Sequence, residues 1–350
     1  MLNVVIESLK RYFANPEVAI LWLFIIIVAT LLAFFGKMLA PMLASIIIAY
    51  LLQGLVTRLE RWHCPHKLAV VIVYLLFLGA LVLAFLGLLP LLWRQLSNMV
   101  NELPNAIGHG QAFLQYLSEK YPNYLSVAQI QQLFDSFKTE IAHMGQFILS
   151  VSLASIPGII VVIIYLVLVP LLVYFFLMDR KIIIQWLQRY LPTRRRLIDQ
   201  VWEEVDTQIG NYVRGKVLEM FIVWIVCYAT FAFMGLKYAM LLSVLVGVSV
   251  IIPYIGAVLV TVPVVVIAFL QWGWSSQFAY LVGVYALITA LDGNVLVPLL
   301  FSGAVSLHPV AIIMAVLVFG GLWGFWGIFF AIPLAALVKA VLNALPKPVS

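Results

Sequence analysis

Charge is what this sequence has least of. Asp, Glu, Lys and Arg together make up 10% of its 350 residues, where a soluble domain needs about a quarter to cover its surface. That shortage excludes the two or three ordinary soluble domains the length would otherwise suggest. Cysteine is nearly absent, with Cys64 and Cys227 the only two. One lies in a basic loop and the other inside an apolar block, which argues against a disulfide framework and a cysteine metal site. The nucleotide loop GxxxxGK[ST] is missing, so no ATP-driven motor is expected within the chain. HExxH, GxSxG and a pair of intramembrane aspartates are missing too, which argues against an enzyme. No cofactor and no metal are therefore expected. The opening stretch MLNVVIESLKRYFANPEVAI lacks the small-residue cleavage pattern of a signal peptide, so the first span is expected to be retained.

What the sequence has in abundance is apolar residues, 65% of the chain. They fall in blocks of about 18 residues or more, the length that crosses a bilayer. Blocks at 18–36, 38–56 and 68–92 make residues 1–92 an N-terminal region of three spans. Others follow at 148–178, 217–235, 238–270, 278–291 and 310–341. The expected fold is an all-α polytopic membrane protein with about eight membrane segments.

The net charge of +6 sits in short loops, so it reads as a topology signal and not as a nucleic-acid surface. Lys10, Arg11, Arg58, Arg61 and Lys67 place the N-terminus and residues 57–67 in the cytoplasm of a bacterial-type inner membrane, with Lys37 outside. Residues 93–147 form a nearly neutral insertion, expected on the outer side. Within it Ile130, Leu133, Phe134, Phe137, Ile141 and Met144 recur at helical spacing. Pro157 and Pro170 are expected to bend the long fourth block.

Residues 179–216 carry eight basic residues, among them Arg180, Lys181, Arg189 and the run Arg194–Arg196. That loop is expected in the cytoplasm, and so is the C-terminus. Ile198, Val201, Val205, Ile209 and Tyr212 follow a helical stripe, expected to lie on the membrane face. The triple arginine serves as a topology anchor or as a site for anionic lipid.

Within the C-terminal region, 148–350, two blocks are broken in the middle. One reads GVSVIIPYIGAVLVTVP, with Pro253 and Gly256 at the break. The other reads FGGLWGFWGIFFAIP, with Gly320, Gly321, Gly324 and Gly327 there. Each break leads through an apolar run to a proline, Pro263 or Pro333, which is a weak internal repeat. In hydrocarbon every backbone N–H and C=O must be satisfied. Such breaks survive only when buried in protein or lining a wet cavity, and paired breaks point to a transporter's binding site. The competing reading is close helix packing through small residues.

Each limb of about 15 residues rises roughly 22 Å, short of the roughly 30 Å core, which favours re-entrant hairpins over full spans. The first is then expected to dip in from outside and the second from the cytoplasm, with tips meeting near the midplane. Polar residues at membrane depth are few, and they mark functional sites. Asp292 and Asn294 join the broken segments as the expected substrate or ion path. Glu219 is either part of that site or an ion-pair partner of Lys216 and Arg214. His308, before Pro309, reads as a turn or capping residue.

The stretches YVRGKVLEM, IIPYIGAV, LDGNVLVP and SLHPVAIIMAVLVFGGLWGFWGIFFAIPLAA resemble the autoinducer-2 exporter family of bacterial membrane proteins. They are long, ordered and correctly spaced. The opening spans, GKVLEM, the DGN triplet and GGLWGFWG are most similar to its PerM branch. The resemblance implies both termini in the cytoplasm, a homo-oligomer with a pentamer as its expected form, and elevator-like movement. It also implies export of a small polar solute or sodium/proton antiport. A passive pore or scaffold is the remaining class.

Overall fold

The structure is a computed structural model, and it describes residues 16–102, 156–189, 196–253, 255–301 and 308–344. Among these residues every regular element is helical. Helix α1 runs Pro16–Arg61. Helix α2 runs His66–Leu83 and continues through a π-helical turn at Ala84–Leu88 into helix as far as Glu102. Helix α3 is Ile156–Met178, α4 Arg180–Arg189 and α5 Arg196–Phe233. Helix α6 is Ala239–Ser249, α7 Ile255–Trp272 and α8 Ser276–Leu291. A second π-helical turn at Asp292–Leu296 joins α8 to α9, Val297–Phe301. Helix α10 is Pro309–Trp323 and α11 is Phe325–Ala344.

Five helices are long and apolar enough to cross a membrane: Met38–Arg61, His66–Glu102, Val201–Phe233, Ile255–Trp272 and Ser276–Phe301. A sixth candidate pairs Val162–Met178 with Arg180–Arg189 across a 79° bend. The chain is thus a multi-pass helical membrane protein.

Several expectations about local structure change. The two spans expected at 18–36 and 38–56 are one uninterrupted helix of 46 residues, which runs through Gly36 and Lys37 without a turn. Pro41 within it lacks an N–H, but Ser45 Oγ donates to the Pro41 carbonyl at 2.6 Å and reaches Val169 O at 3.3 Å. Neither Pro157 nor Pro170 breaks α3. Both lie within the described helix, and the sharp bend falls at Asp179.

The stripe expected on the membrane face is the first half of α5, continuous with the fifth span. Its Val201 and Tyr212 are buried, and Ile209 and Tyr212 pack on α1 and α11. The insertion's first residues, 93–102, extend the α2 helix. Its amphipathic stripe at 130–144 lies outside the described residues.

Two cores hold the bundle. Ala49 and Val56 of α1 meet Ala69, Val70 and Val73 of α2 and Val173 and Leu177 of α3. Val223, Cys227 and Phe231 of α5 meet Leu242 and Val246 of α6, Val264 and Ile267 of α7, and Leu281 and Tyr285 of α8. Helix α5 is the common axis. At 38 residues it is roughly 57 Å long.

Both broken segments are helical hairpins. In the first, α6 and α7 return the chain to its starting point. The Lys237 N–H donates to Gln271 Oε1 at 2.7 Å, and Gln271 Nε2 donates to the Gly235 carbonyl at 2.8 Å. Gln95 Oε1 accepts from the Leu241 N–H at 2.8 Å and Lys237 pairs with Glu102 at 3.1 Å, so this base sits beside the far end of α2. With 11 residues, α6 rises only about 16 Å, too little to cross the core.

In the second hairpin, Ala315, Val316 and Phe319 of α10 pack on Ile328, Ala331 and Ala335 of α11, on either side of a turn at Gly324. Gly324 has φ +60°, a conformation that disfavours any side chain. Gly256 and Gly327 are equivalent in function. A Cβ on the first would collide with the Ser249 carbonyl, and one on the second with the Phe319 carbonyl.

Candidate functional site

The hairpins dock on α5 from opposite ends. The base of the first lies just past Phe233, at 235–241. Near the base of the second, Ile312 and Ile332 pack with Ile209, Tyr212 and Val213. The first runs back along α5 until Gly247 lies against Met220 and Trp224, where a Cβ would stand 2.8 Å from Trp224 Cβ. Its tip, three to seven residues further on, therefore reaches the depth of Glu219. The two limb pairs have the opposed orientation expected of an inverted pair.

At that depth α5 carries a buried ion pair. Lys216 Nζ donates to both carboxylate oxygens of Glu219, at 3.0 and 2.8 Å. Their spacing of i, i+3 puts both on one helix face. Both are buried, Lys216 to 7% exposure and Glu219 to 2%. A buried charge is tolerated only when paired, so the short spacing in sequence makes this pair possible at membrane depth. The Lys216 ammonium also stands 5.6 Å over the Phe301 ring.

The DGN triplet forms the π-helical turn itself. The Val297 N–H bonds to the Asp292 carbonyl, five residues back, which widens the helix and displaces the side chains on it. Such turns frequently mark functional sites. Asn294 Nδ2 donates to the Ala290 carbonyl at 2.8 Å, satisfying a group the turn releases. Asp292 Oδ1 is buried and has no hydrogen-bond partner. Its carboxylate is within electrostatic reach of Lys216, Glu219 and Cys227. One ammonium is therefore within electrostatic reach of two carboxylates, and one oxygen of Asp292 makes no hydrogen bond.

The motif YVRGKVLEM builds this arrangement residue by residue. Tyr212 is buried and packs on Phe301, with ring centroids 5.6 Å apart. Gly215 admits that ring, since a Cβ there would lie 2.8 Å from Phe301 Cε1. Gly210 admits Tyr50 of α1, whose hydroxyl donates to the Asp206 carbonyl at 3.0 Å. Arg214 turns away from Glu219. It lies 5.8 Å over the Tyr50 ring and donates to Gly210 O and Asn211 Oδ1.

Of the expected site residues, the structure brings Asp292, Lys216 and Glu219 together, with Asn294 on the same turn and the first tip, from Pro253 to Gly256, at the same depth. The tip N–H groups of Ile251, Ile252, Ile255 and Gly256 all bond within the tip. Gly320 faces Ile328 of α11, whose Cγ1 would lie 2.8 Å from a Cβ there, while the position of Gly321 is open. Gly320, Gly324 and Gly327 serve hairpin closure. His308 caps α10, its ring Nδ1 accepting from the Val310 N–H at 3.3 Å, and it stays exposed. Arg214 supports the α1 contact and not the charge cluster. Sequence reasoning missed Phe301, Tyr50 and Cys227. The one signal was a glycine mid-helix, at 210 and 215, where only a close neighbour explains its presence.

Comparison with known proteins covers the same residues. The family model "AI-2E family transporter" matches 19–347. The chain is 43% identical over 99% of its length to PerM of Escherichia coli (strain K12), named as a permease, covering 98% of that protein. It is 28% identical over 88% of its length to YueF of Bacillus subtilis (strain 168), named as a transport protein, covering 84% of it. It is 24% identical over 91% of its length to TqsA of Escherichia coli (strain K12), named as an AI-2 transport protein, covering 89% of it. With its helical hairpins, its apolar spans and a family match across nearly its whole length, this chain belongs to the AI-2E family of membrane transporters.

Proposed function

We propose that this transporter exports a small polar solute across the bacterial inner membrane, coupled to an ion that binds at Asp292. The observation that carries the reading is the free, buried oxygen of Asp292 on its π-helical turn, beside the buried Lys216–Glu219 pair. Lys216 neutralises one of the two carboxylates, so the cluster retains an excess negative charge that a proton or sodium ion can balance. The first hairpin's tip, whose N–H groups are already used, offers carbonyl oxygens to such a cation. The opposed hairpins supply the mobile unit, working against a frame made by α1 to α3.

In this reading the C-terminus and residues 179–216 face the cytoplasm, residues 93–147 face outward, and the protein works as a homo-oligomer, a pentamer in its expected form. Sodium/proton antiport is the second reading, favoured by the same free carboxylate oxygen. Purified protein in proteoliposomes under an imposed proton or sodium gradient tests both. Gradient-dependent flux that Asp292→Asn abolishes, while the variant still assembles, supports the coupling site. Normal flux in Asp292→Asn removes it, and flux indifferent to any gradient means a passive pore. Sodium-driven proton movement without added solute selects the antiporter.

A further inference from the structure

Helix α4 is the element that neither the cores nor the charge cluster use. All ten of its residues are exposed. Apart from Arg180 at its first position, which falls between Leu187 and Ile184, its sequence RKIIIQWLQR divides around the helix at about 100° per residue. Ile182, Trp186, Ile183, Leu187 and Ile184 occupy one arc. Lys181, Gln185, Gln188 and Arg189 occupy the other. Much of the apolar arc is exposed, Ile182 to 65% and Leu187 to 49%.

Two observations say what covers it. The first is direction. Helix α4 leaves the apolar helix Val162–Met178 at 79°. A helix that turns through nearly a right angle at the end of a span lies along the membrane surface. The second is charge. From Arg180 to Arg196 the sequence has six basic residues and no acidic one. A short amphipathic helix with a basic polar face binds the headgroup region of a bilayer, most strongly when that surface is anionic.

We infer that α4 is an interfacial helix that seats Ile182, Trp186 and Leu187 at the acyl boundary and holds anionic lipid headgroups with Lys181 and Arg189. This inference does not depend on what the protein carries. It gives the bend at Asp179 a role: it turns the chain out of the hydrocarbon and holds it in the headgroup layer. A neighbouring copy of the chain would also cover an apolar arc, but an arc edged by unopposed positive charge suits phosphate headgroups better.

The test uses the full chain with Cys64→Ala and Cys227→Ala, and either Leu187→Cys or Gln185→Cys carrying an environment-sensitive fluorophore. The protein is reconstituted into phosphatidylcholine vesicles with or without phosphatidylglycerol. The label at 187 should be blue-shifted and quenched by a lipid-borne nitroxide. The label at 185 should be quenched by aqueous iodide. Lys181→Gln with Arg189→Gln should lower the preference for spin-labelled phosphatidylglycerol over phosphatidylcholine by about fivefold or more. Iodide reaching position 187 overturns the inference. So does a label at 187 shielded from both quenchers, which would mean a protein partner. An unchanged lipid preference in the double variant removes the anionic-lipid contact.

Discussion

Lys216 pairs with one acid and acts on a second, and the strength of that arrangement can be worked out. Lys216→Met leaves Glu219 buried at 2% exposure with its partner gone and with the charge of Asp292 acting on it. Breaking a buried pair costs about 3–5 kcal/mol, and the nearby like charge puts this variant at the upper end. Glu219→Gln is milder, because the amide oxygen still accepts from the ammonium and Asp292 remains as a counter-charge. Lys216→Met combined with Glu219→Gln removes the unpaired charge altogether and should recover most of the loss, since replacing a buried pair outright is often near neutral. Heating the detergent-purified protein and following the monodisperse peak by size exclusion ranks the four proteins. At a few degrees per kcal/mol, Lys216→Met should fall on the order of 10 °C below the parent, with Glu219→Gln in between. A double variant as unstable as Lys216→Met would refute the electrostatic reasoning and leave only side-chain packing against Phe301.

Two further predictions concern the hairpins. Gly256→Ala and Gly327→Ala each drive a methyl into a backbone carbonyl of the facing limb, so each should destabilise by roughly 1–3 kcal/mol, whereas Gly321→Ala, in open space, should be near neutral; thermal midpoints by the same assay decide. Ser275→Cys in the cysteine-free background should react with an impermeant maleimide from outside the cell, and Ser302→Cys only after the cytoplasmic face is opened; the reverse pattern would mean that the hairpins are full spans.

Much of the fold is legible in the sequence because hydrocarbon leaves few choices. A long apolar block must be a helix, and the two breaks follow directly from Pro253 and the glycines at 320–327. Asp292 and Glu219 stand out because charge at membrane depth is rare. The failures share a cause. Lys37 separates two apolar blocks in composition, but the helix runs straight through it. Pro157 and Pro170 read as bends, but both fall within the single helix α3. The chain bends instead at Asp179, where no breaker stands. Which stripe lies on the membrane and which packs inside cannot be read from spacing alone, since Ile209 and Tyr212 meet α1 and α11 while the similar face of α4 is exposed. The π-helical turn at Asp292 leaves no mark in periodicity, because it shifts the register by a single residue.

The clasp at the base of the first hairpin has a consequence for how the protein is made. Helix α6 is too short to be retained in a bilayer on its own, and Gln271, which ties off the loop, is synthesised about thirty residues after Lys237. The first limb therefore cannot settle while it alone has emerged from the ribosome. It must wait at the surface until α7 follows, and the two then slide in together along an α5 that is already in place. The order of synthesis, with α5 ahead of both limbs and α8 behind them, presents that template at the moment the hairpin needs it.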